Sequence, residues 1–260
     1  MKKYLVFLIA NVMLFFAVDA KAQTHYKAVV SPDSVLKNMP NLLDYYSGHL
    51  RFDGDFIGYN EAGHVMGNGE FLKMLTTGNY LPVQVVSKKK AWEYQLLKLR
   101  SNVNEDVQGM LKQIGVTDYG RFLMVGKPFP QFSYTDLNGN TYNTQNTKGK
   151  ILVVKGWFIS CAPCVAEMPE LNKLTEKYKD RKDIIFVSLA TDPKKALQSF
   201  VKRTPFNYAV VPVKQDYIMN SLHATGFPVH WVINKQGVVV HMTYDKDEMI
   251  AALNKEAVRR

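Results

Sequence analysis

Two residues in this chain stand out for the chemistry they could do. Cys161 and Cys164 are its only cysteines, and their C-x-x-C spacing lets the two sulfurs close a small disulfide ring. An apolar run at 151–154 precedes them and a helix-like run follows, so Cys161 falls where a helix begins. A thiolate there faces the positive end of the helix dipole, which lowers its pKa and makes it the attacking sulfur; an exposed position is expected for it. Cys164, one turn deeper, is placed to resolve a mixed disulfide. The chemistry implied is thiol–disulfide exchange. A structural staple is the competing use, but so short a ring constrains the unfolded chain least. A zinc site normally takes four ligands, and the sequence holds no second C-x-x-C and no H-x-x-x-H. No metal is expected, and no cofactor besides the Cys161–Cys164 pair itself.

Residues near the pair have more than one reading. Pro163 suits a first helical turn, because its φ is fixed and its missing N–H has no partner to lose there. Pro169 reads as a kink in the same helix. Glu167 lies three residues after Cys164, and the helix dipole alone would favour an acidic first turn. His223 and His230 flank the Pro228 loop; either could approach the thiolate, and both also fit ordinary loop and strand-face positions, the reading favoured here. His25, His49 and His64 are isolated.

The compartment follows from the N-terminus. Lys2 and Lys3, a mostly apolar stretch at 4–18 and Ala20-Lys21-Ala22 have the order of a secretory signal with its cleavage site. The apolar stretch is shorter than the ~20 residues of a membrane-spanning helix, although an uncleaved anchor is the alternative. Residues 1–22 are thus read as a signal peptide cut near Ala22, with the mature chain periplasmic or otherwise extracytoplasmic. No cysteine lies near the cut to carry a lipid. The net charge is +10, of which +7 falls on residues 126–260. Those charges are scattered, which together with export argues against nucleic acid and for a solvated basic surface that can steer protein partners.

Two further units are expected. Residues 23–125 read as a small α+β module of unknown role. A short helix at 33–46 is broken by Pro40, and a strand at 49–59 is followed by a glycine-rich loop at 60–69. One or two helical turns at 70–75 lead to a strand at 80–86. An exposed turn at Lys88-Lys89-Lys90, a pairing strand at 92–100 and a helix at 104–114 stopped by Gly115 complete it. Gly126-Lys127-Pro128-Phe129-Pro130 marks a boundary. From 126 to 260 a hairpin around Asn138-Gly139-Asn140 precedes strands at 151–154, 183–189 and 208–213. These alternate with helices, and a final pair of strands and a helix close the chain. The fold class expected is mixed α/β.

The segment Ile151-Leu152-Val153-Val154, Trp157, Cys161-Ala162-Pro163-Cys164 and Glu167-Met168-Pro169, with Gly226-Phe227-Pro228 ahead of a strand at 230–233, resembles TlpA/ResA-type thioredoxin-like proteins. The resemblance covers about residues 126–260. It implies a thioredoxin-like three-layer sandwich with a mixed central sheet, and an exported thiol–disulfide oxidoreductase, reducing rather than oxidising. Cys161 and Cys164 would be catalytic, with Glu167 assisting proton transfer beneath them. Pro228 would be a cis-proline presenting the backbone of Phe227 to an extended substrate, and Trp157 is placed with them as substrate-binding. Protein thiols and disulfides would be the substrates and a membrane-bound partner the electron donor. The N-terminal module would choose substrates or hold a homodimer.

The sequence departs from the pattern at two places. Lys155 stands six residues before Cys161, where relatives often carry Asp or Asn. A buried ammonium needs a partner, and pairing with Glu167 is expected. Ser160 stands where Trp is common, which makes a more open and polar rim. Two other functions compete. A peroxiredoxin-like peroxidase would need a Thr and a Pro upstream of the reactive cysteine, which residues 157–160 lack. A non-enzymatic binding or sensing protein would use the pair as a regulatory disulfide.

Overall fold

A computed structural model describes residues 26–52, 54–87 and 91–259. The signal-peptide expectation and the Lys88-Lys89-Lys90 turn lie outside the described residues. Among those residues no helix is long and apolar enough to cross a membrane.

The first unit opens with two helices, α1 (Pro32–Val35) and α2 (Met39–His49). Asn38 caps α2 by accepting from the Asn41 amide, and Pro40 sits in its first turn. Pro40 therefore starts this helix instead of breaking one, since an N-terminal position has no N–H to lose. The helix runs on to His49, so the strand expected at 49–59 is only β1 (Phe56–Tyr59). The glycine-rich stretch after it contains β2 (Val65–Met66) and the start of α3 (Asn68–Leu75). Strands β3 (Tyr80–Gln84) and β4 (Trp92–Lys98) complete a mixed sheet in the order β2-β1-β4-β3, with β1 parallel to β4. Leu42, Phe71, Leu72, Leu81 and Tyr94 are its buried centre.

Helix α4 (Glu105–Met124) is capped by Asn104, which accepts from the Asp106 and Val107 amides. It does not stop at Gly115. A Cβ at Gly115 would lie 2.4 Å from the Leu75 backbone, so this glycine is a close-packing residue against α3, and Gly here marks contact, not termination. Val107 and Leu111 belong to the first core, whereas Met124 belongs to the second, so one helix serves both units. Gly126, at φ +78°, then turns the chain so that its amide donates to the Val239 carbonyl.

The second unit begins with the hairpin β5 (Ser133–Thr135) and β6 (Thr141–Asn143). Strand β7 (Ile151–Trp157) leads to α5 (Ala162–Ala166) and α6 (Met168–Lys177). There follow β8 (Ile184–Ala190), α7 (Lys194–Arg203), β9 (Ala209–Pro212), a π-helical turn (Tyr217–Ser221), β10 (Val229–Ile233), β11 (Val239–Thr243) and α8 (Lys246–Ala257). The sheet order is β11-β10-β7-β8-β9, parallel through β7, β8 and β9 and antiparallel at β10 and β11. Every residue of β7 is buried, as a central strand covered on both faces requires. Alternation splits it: Ile151, Val153 and Trp157 face α6, α7 and α8, while Leu152 and Val154 face the end of α4, the hairpin and the π-helical turn. This is the three-layer thioredoxin-like arrangement, and its central strand delivers the chain directly to the cysteines.

Candidate active site

Strand β7 ends at Trp157, and residues 158–160 turn the chain into α5, whose N-cap is Cys161. The turn is held from the neighbouring strand's exit: the Ile159 amide donates to Asp192 Oδ2 at 2.7 Å, and the Thr191 amide to the Trp157 carbonyl at 3.2 Å. Cys161 and Cys164 are joined in a disulfide with Cα atoms 5.2 Å apart. The Cys164 amide points at Cys161 Sγ, 3.3 Å away. A backbone N–H aimed at one sulfur favours its charged form once the ring opens, and here that sulfur is the one on Cys161.

Cys161 is not the exposed residue expected. It is 5% accessible and packs into the core with Trp157 and Met168, and Cys164 is fully buried. The openings to solvent are its neighbours Ser160, Ala162 and Pro163, which are exposed and form a rim. Trp157 also differs from expectation. It is fully buried, with its ring 5.5 Å from that of Phe200 and 6.0 Å from that of Phe206, so it supports the site from below and cannot touch a docked substrate. Phe227 and Pro228 are half-buried, and their peptide bond is cis. The Phe227 ring meets that of Phe158 edge-on at 5.4 Å, which brings the Phe227-Pro228 loop against the loop that carries Cys161.

Glu167 is the joint between α5 and α6. Its amide still bonds back to the Pro163 carbonyl, but Pro169 has no N–H to continue the ladder, and the helix breaks there. Its side chain, 8% exposed, turns inward onto the sheet and pairs with the Nζ of Lys155, which is wholly buried. The register explains the meeting. His230, Lys155 and Ser188 lie side by side across β10, β7 and β8, with Thr243 next to His230 on β11. They form a buried polar row on the face that carries Trp157. His230 Nε2 lies 3.1 Å from the same Glu167 oxygen, although the approach is not aligned for a hydrogen bond.

Burial decides the charges in this row. It pushes the Lys155 ammonium down, to about 7, while the carboxylate it touches works in the opposite sense. Burial first, and then the Lys155 charge, push His230 down to about 3, with Asp245 at the cap of α8 opposing them. His230 is therefore a neutral imidazole near neutral pH. The row can hold or pass a proton beneath the cysteines, because a carboxylate and an amine share it with a neutral imidazole alongside.

Sequence comparison decides the family. The profile of the Redoxin family matches residues 124–256. The chain belongs to this family. Within the redoxins it is of the TlpA/ResA-like, thioredoxin-fold kind. It is 29% identical over 157 residues to the thiol-disulfide oxidoreductase ResA of Geobacillus kaustophilus, an alignment spanning 58% of this chain and 87% of that one. ResA of Bacillus cereus is 32% identical over 133 residues, 49% of this chain and 77% of the relative. A crystal structure of a putative thiol-disulfide oxidoreductase from Bacteroides vulgatus superposes with a TM-score of 0.46 at 24% identity, covering 52% of this chain and 97% of that one. All three matches leave a large share of this redoxin unmatched.

Two residues of the site have no role assigned by the sequence. His230 fits an ordinary strand-face position, yet it stands two residues after Pro228 on the strand that pairs with that of Lys155. The signal was register, which a single sequence does not display. Asp192, just past the end of β8, carries no local signal of a role at the site, and its bond to the Ile159 amide depends on strand order.

Proposed function

We propose that this redoxin is an exported thiol–disulfide oxidoreductase that reduces protein disulfides with the Cys161–Cys164 pair. The observation that carries this reading is the disulfide itself, held at the end of the central strand between an open rim and a buried charge pair. In the reduced chain the Cys161 thiolate attacks one sulfur of a substrate disulfide. The substrate's other sulfur leaves as a thiolate and takes up a proton. Cys164 then loses its proton and attacks Cys161, and the second substrate thiolate leaves and is protonated in turn. Two electrons pass to the substrate and the Cys161–Cys164 bond re-forms.

Cys164 is fully buried, so its proton needs an internal acceptor. Glu167 takes it and becomes neutral, and the Lys155 ammonium at its side keeps the carboxylate ionised until that transfer. The rim formed by Ser160, Ala162 and Pro163, with Phe158 and Phe227 beside it, receives an extended segment of the substrate. A membrane-bound donor returns the two electrons, which suits a chain sent out of the cytoplasm by a signal at 1–22.

Insulin reduction by the mature chain tests the reading. Wild type is expected to precipitate the insulin B chain in the presence of a thiol reductant, and Cys161→Ala to show none of this acceleration. Glu167→Gln should retain the disulfide but slow the reaction by about 10²-fold, the lower end for a lost general base. Equal rates for wild type and Cys161→Ala would leave a regulatory or structural disulfide as the reading.

A further inference from the structure

Helix α4 makes a set of contacts that the chemistry above does not use. Its N-terminal half packs on α3 and into the first core, and its C-terminal half reaches the loop at 222–228 that ends in Phe227-Pro228. Thr117 Oγ1 lies 3.0 Å from Thr225 Oγ1. The Thr225 amide donates to the Tyr244 hydroxyl at 2.9 Å, and the Thr225 hydroxyl meets the same oxygen at 2.9 Å. Arg121, one turn along α4, lies over the Tyr244 ring at 5.7 Å and donates to Asp118 Oδ1 at 3.1 Å. Tyr46 of α2 reaches that carboxylate oxygen at 3.4 Å. A continuous path therefore runs from α2 through Asp118, Arg121 and Tyr244 to Thr225, two residues before Phe227.

The second observation is steric. A Cβ on Gly120 would lie 2.5 Å from the His223 carbonyl oxygen, so the helix backbone and the loop backbone touch with no side chain between them. At that point the loop is in an unfavourable state: His223 has φ +52°, in the left-handed region that non-glycine residues seldom occupy. Such a conformation persists where surrounding structure over-determines it. Here that structure is α4, with Gly120 below His223 and Thr117 bonded to Thr225.

We propose that α4 is a positioning element for the substrate loop, so that the N-terminal unit sets how tightly a protein disulfide is held at Phe227-Pro228. The inference rests on the oxidoreductase reading for its effect on substrate, but not for its effect on the loop. Thr117 and Gly120 act through residues 223–228 and do not touch the reacting sulfurs. Loosening the seat should weaken docking and leave the exchange chemistry alone, which is a rise in KM at constant kcat.

The test uses the full mature chain and four variants. Thr117→Val removes the hydroxyl at constant shape, Thr117→Ser retains it, and Gly120→Ala forces the His223 carbonyl away. Gln108→Ala lies on the same helix but faces Asn79 in the first unit. With insulin as substrate, Thr117→Val and Gly120→Ala should raise KM by about three- to tenfold, the range spanned by one lost hydrogen bond. Their kcat and Cys161–Cys164 reduction potential should match the parent, Thr117→Ser should restore KM, and Gln108→Ala should change nothing. Amide hydrogen exchange over 222–230 should rise in Thr117→Val and Gly120→Ala alone. Unchanged exchange over that segment overturns the proposal whatever the activity. Unchanged KM in an active protein, or kcat and potential falling together with it, also overturns it. A parent that fails to reduce insulin while the loop exchange responds as stated defeats the oxidoreductase reading and leaves the positioning role standing.

Discussion

His230 is buried completely among Lys155, Glu167 and Thr243, with Asp245 at the edge of its surroundings. A neutral imidazole fits there, but an imidazolium would be a second cation beside Lys155 in a place sealed from solvent. The linkage to folding has a definite sign. The ordinary value is 6.5 and the folded one about 3. Between them the unfolded chain holds a proton that the folded chain does not, so stability is full above about 6.5 and is lost as pH falls toward about 3. One proton contributes a slope of at most ~1.4 kcal/mol per pH unit. His230→Gln keeps a polar group of similar size and removes the titration. Denaturant unfolding at pH 6.5 and pH 5, above most of the carboxylate range, should show wild type losing more stability than the variant. Parallel losses would mean that the imidazole takes up its proton in the folded chain without penalty.

At the scale of elements, α4 shows how one residue type can carry different instructions. Gly109, Gly115 and Gly120 all lie on it. A Cβ at Gly109 meets nothing within 4 Å, whereas at Gly115 it runs into the Leu75 backbone at 2.4 Å. Gly109→Ala should therefore stabilise the chain by ~0.5–1 kcal/mol through helix propensity. In Gly115→Ala that gain is outweighed by overpacking, which costs ~1–3 kcal/mol, and the variant should be less stable than wild type. Thermal unfolding of the pair checks the contrast, and a stabilised Gly115→Ala would show that α3 can give way. The same residue explains what was legible. Strand β7 and the cysteines were readable because an apolar run and a spacing are local patterns, and Phe227-Pro228 was readable through the resemblance to TlpA/ResA-type proteins. The Lys155–Glu167 pairing was readable from a charge that had to be buried. The length of α4 was not, because Gly115 reads as a stop until Leu75 is known to lie against it. Nor was the burial of Cys161 and Trp157, which depends on helices packed from elsewhere in the chain.

Across the whole molecule there are separate apolar cores for the two sheets, with α4 inserted in both. Trp157 and Trp231 are fully buried in the second unit, and a core of that size is expected to hold its layers together without a covalent clamp. This bears on whether Cys161–Cys164 is a switch or a staple. The ring closes over a sequence separation of only three residues. In the chain-entropy model a loop that short contributes ~2 kcal/mol, against ~5 for a loop of a hundred residues. For a chain of this size each kcal/mol moves Tm by about 2–4 °C. Reducing the pair in the mature protein should thus lower Tm by about 4–8 °C and leave the far-UV circular dichroism of the native state intact. A chain that tolerates both states can cycle between them, as a two-electron carrier must. If reduction instead lowered Tm by more than about 15 °C, or abolished the folded state, the disulfide would be a structural clamp and the exchange cycle would lose its reduced partner.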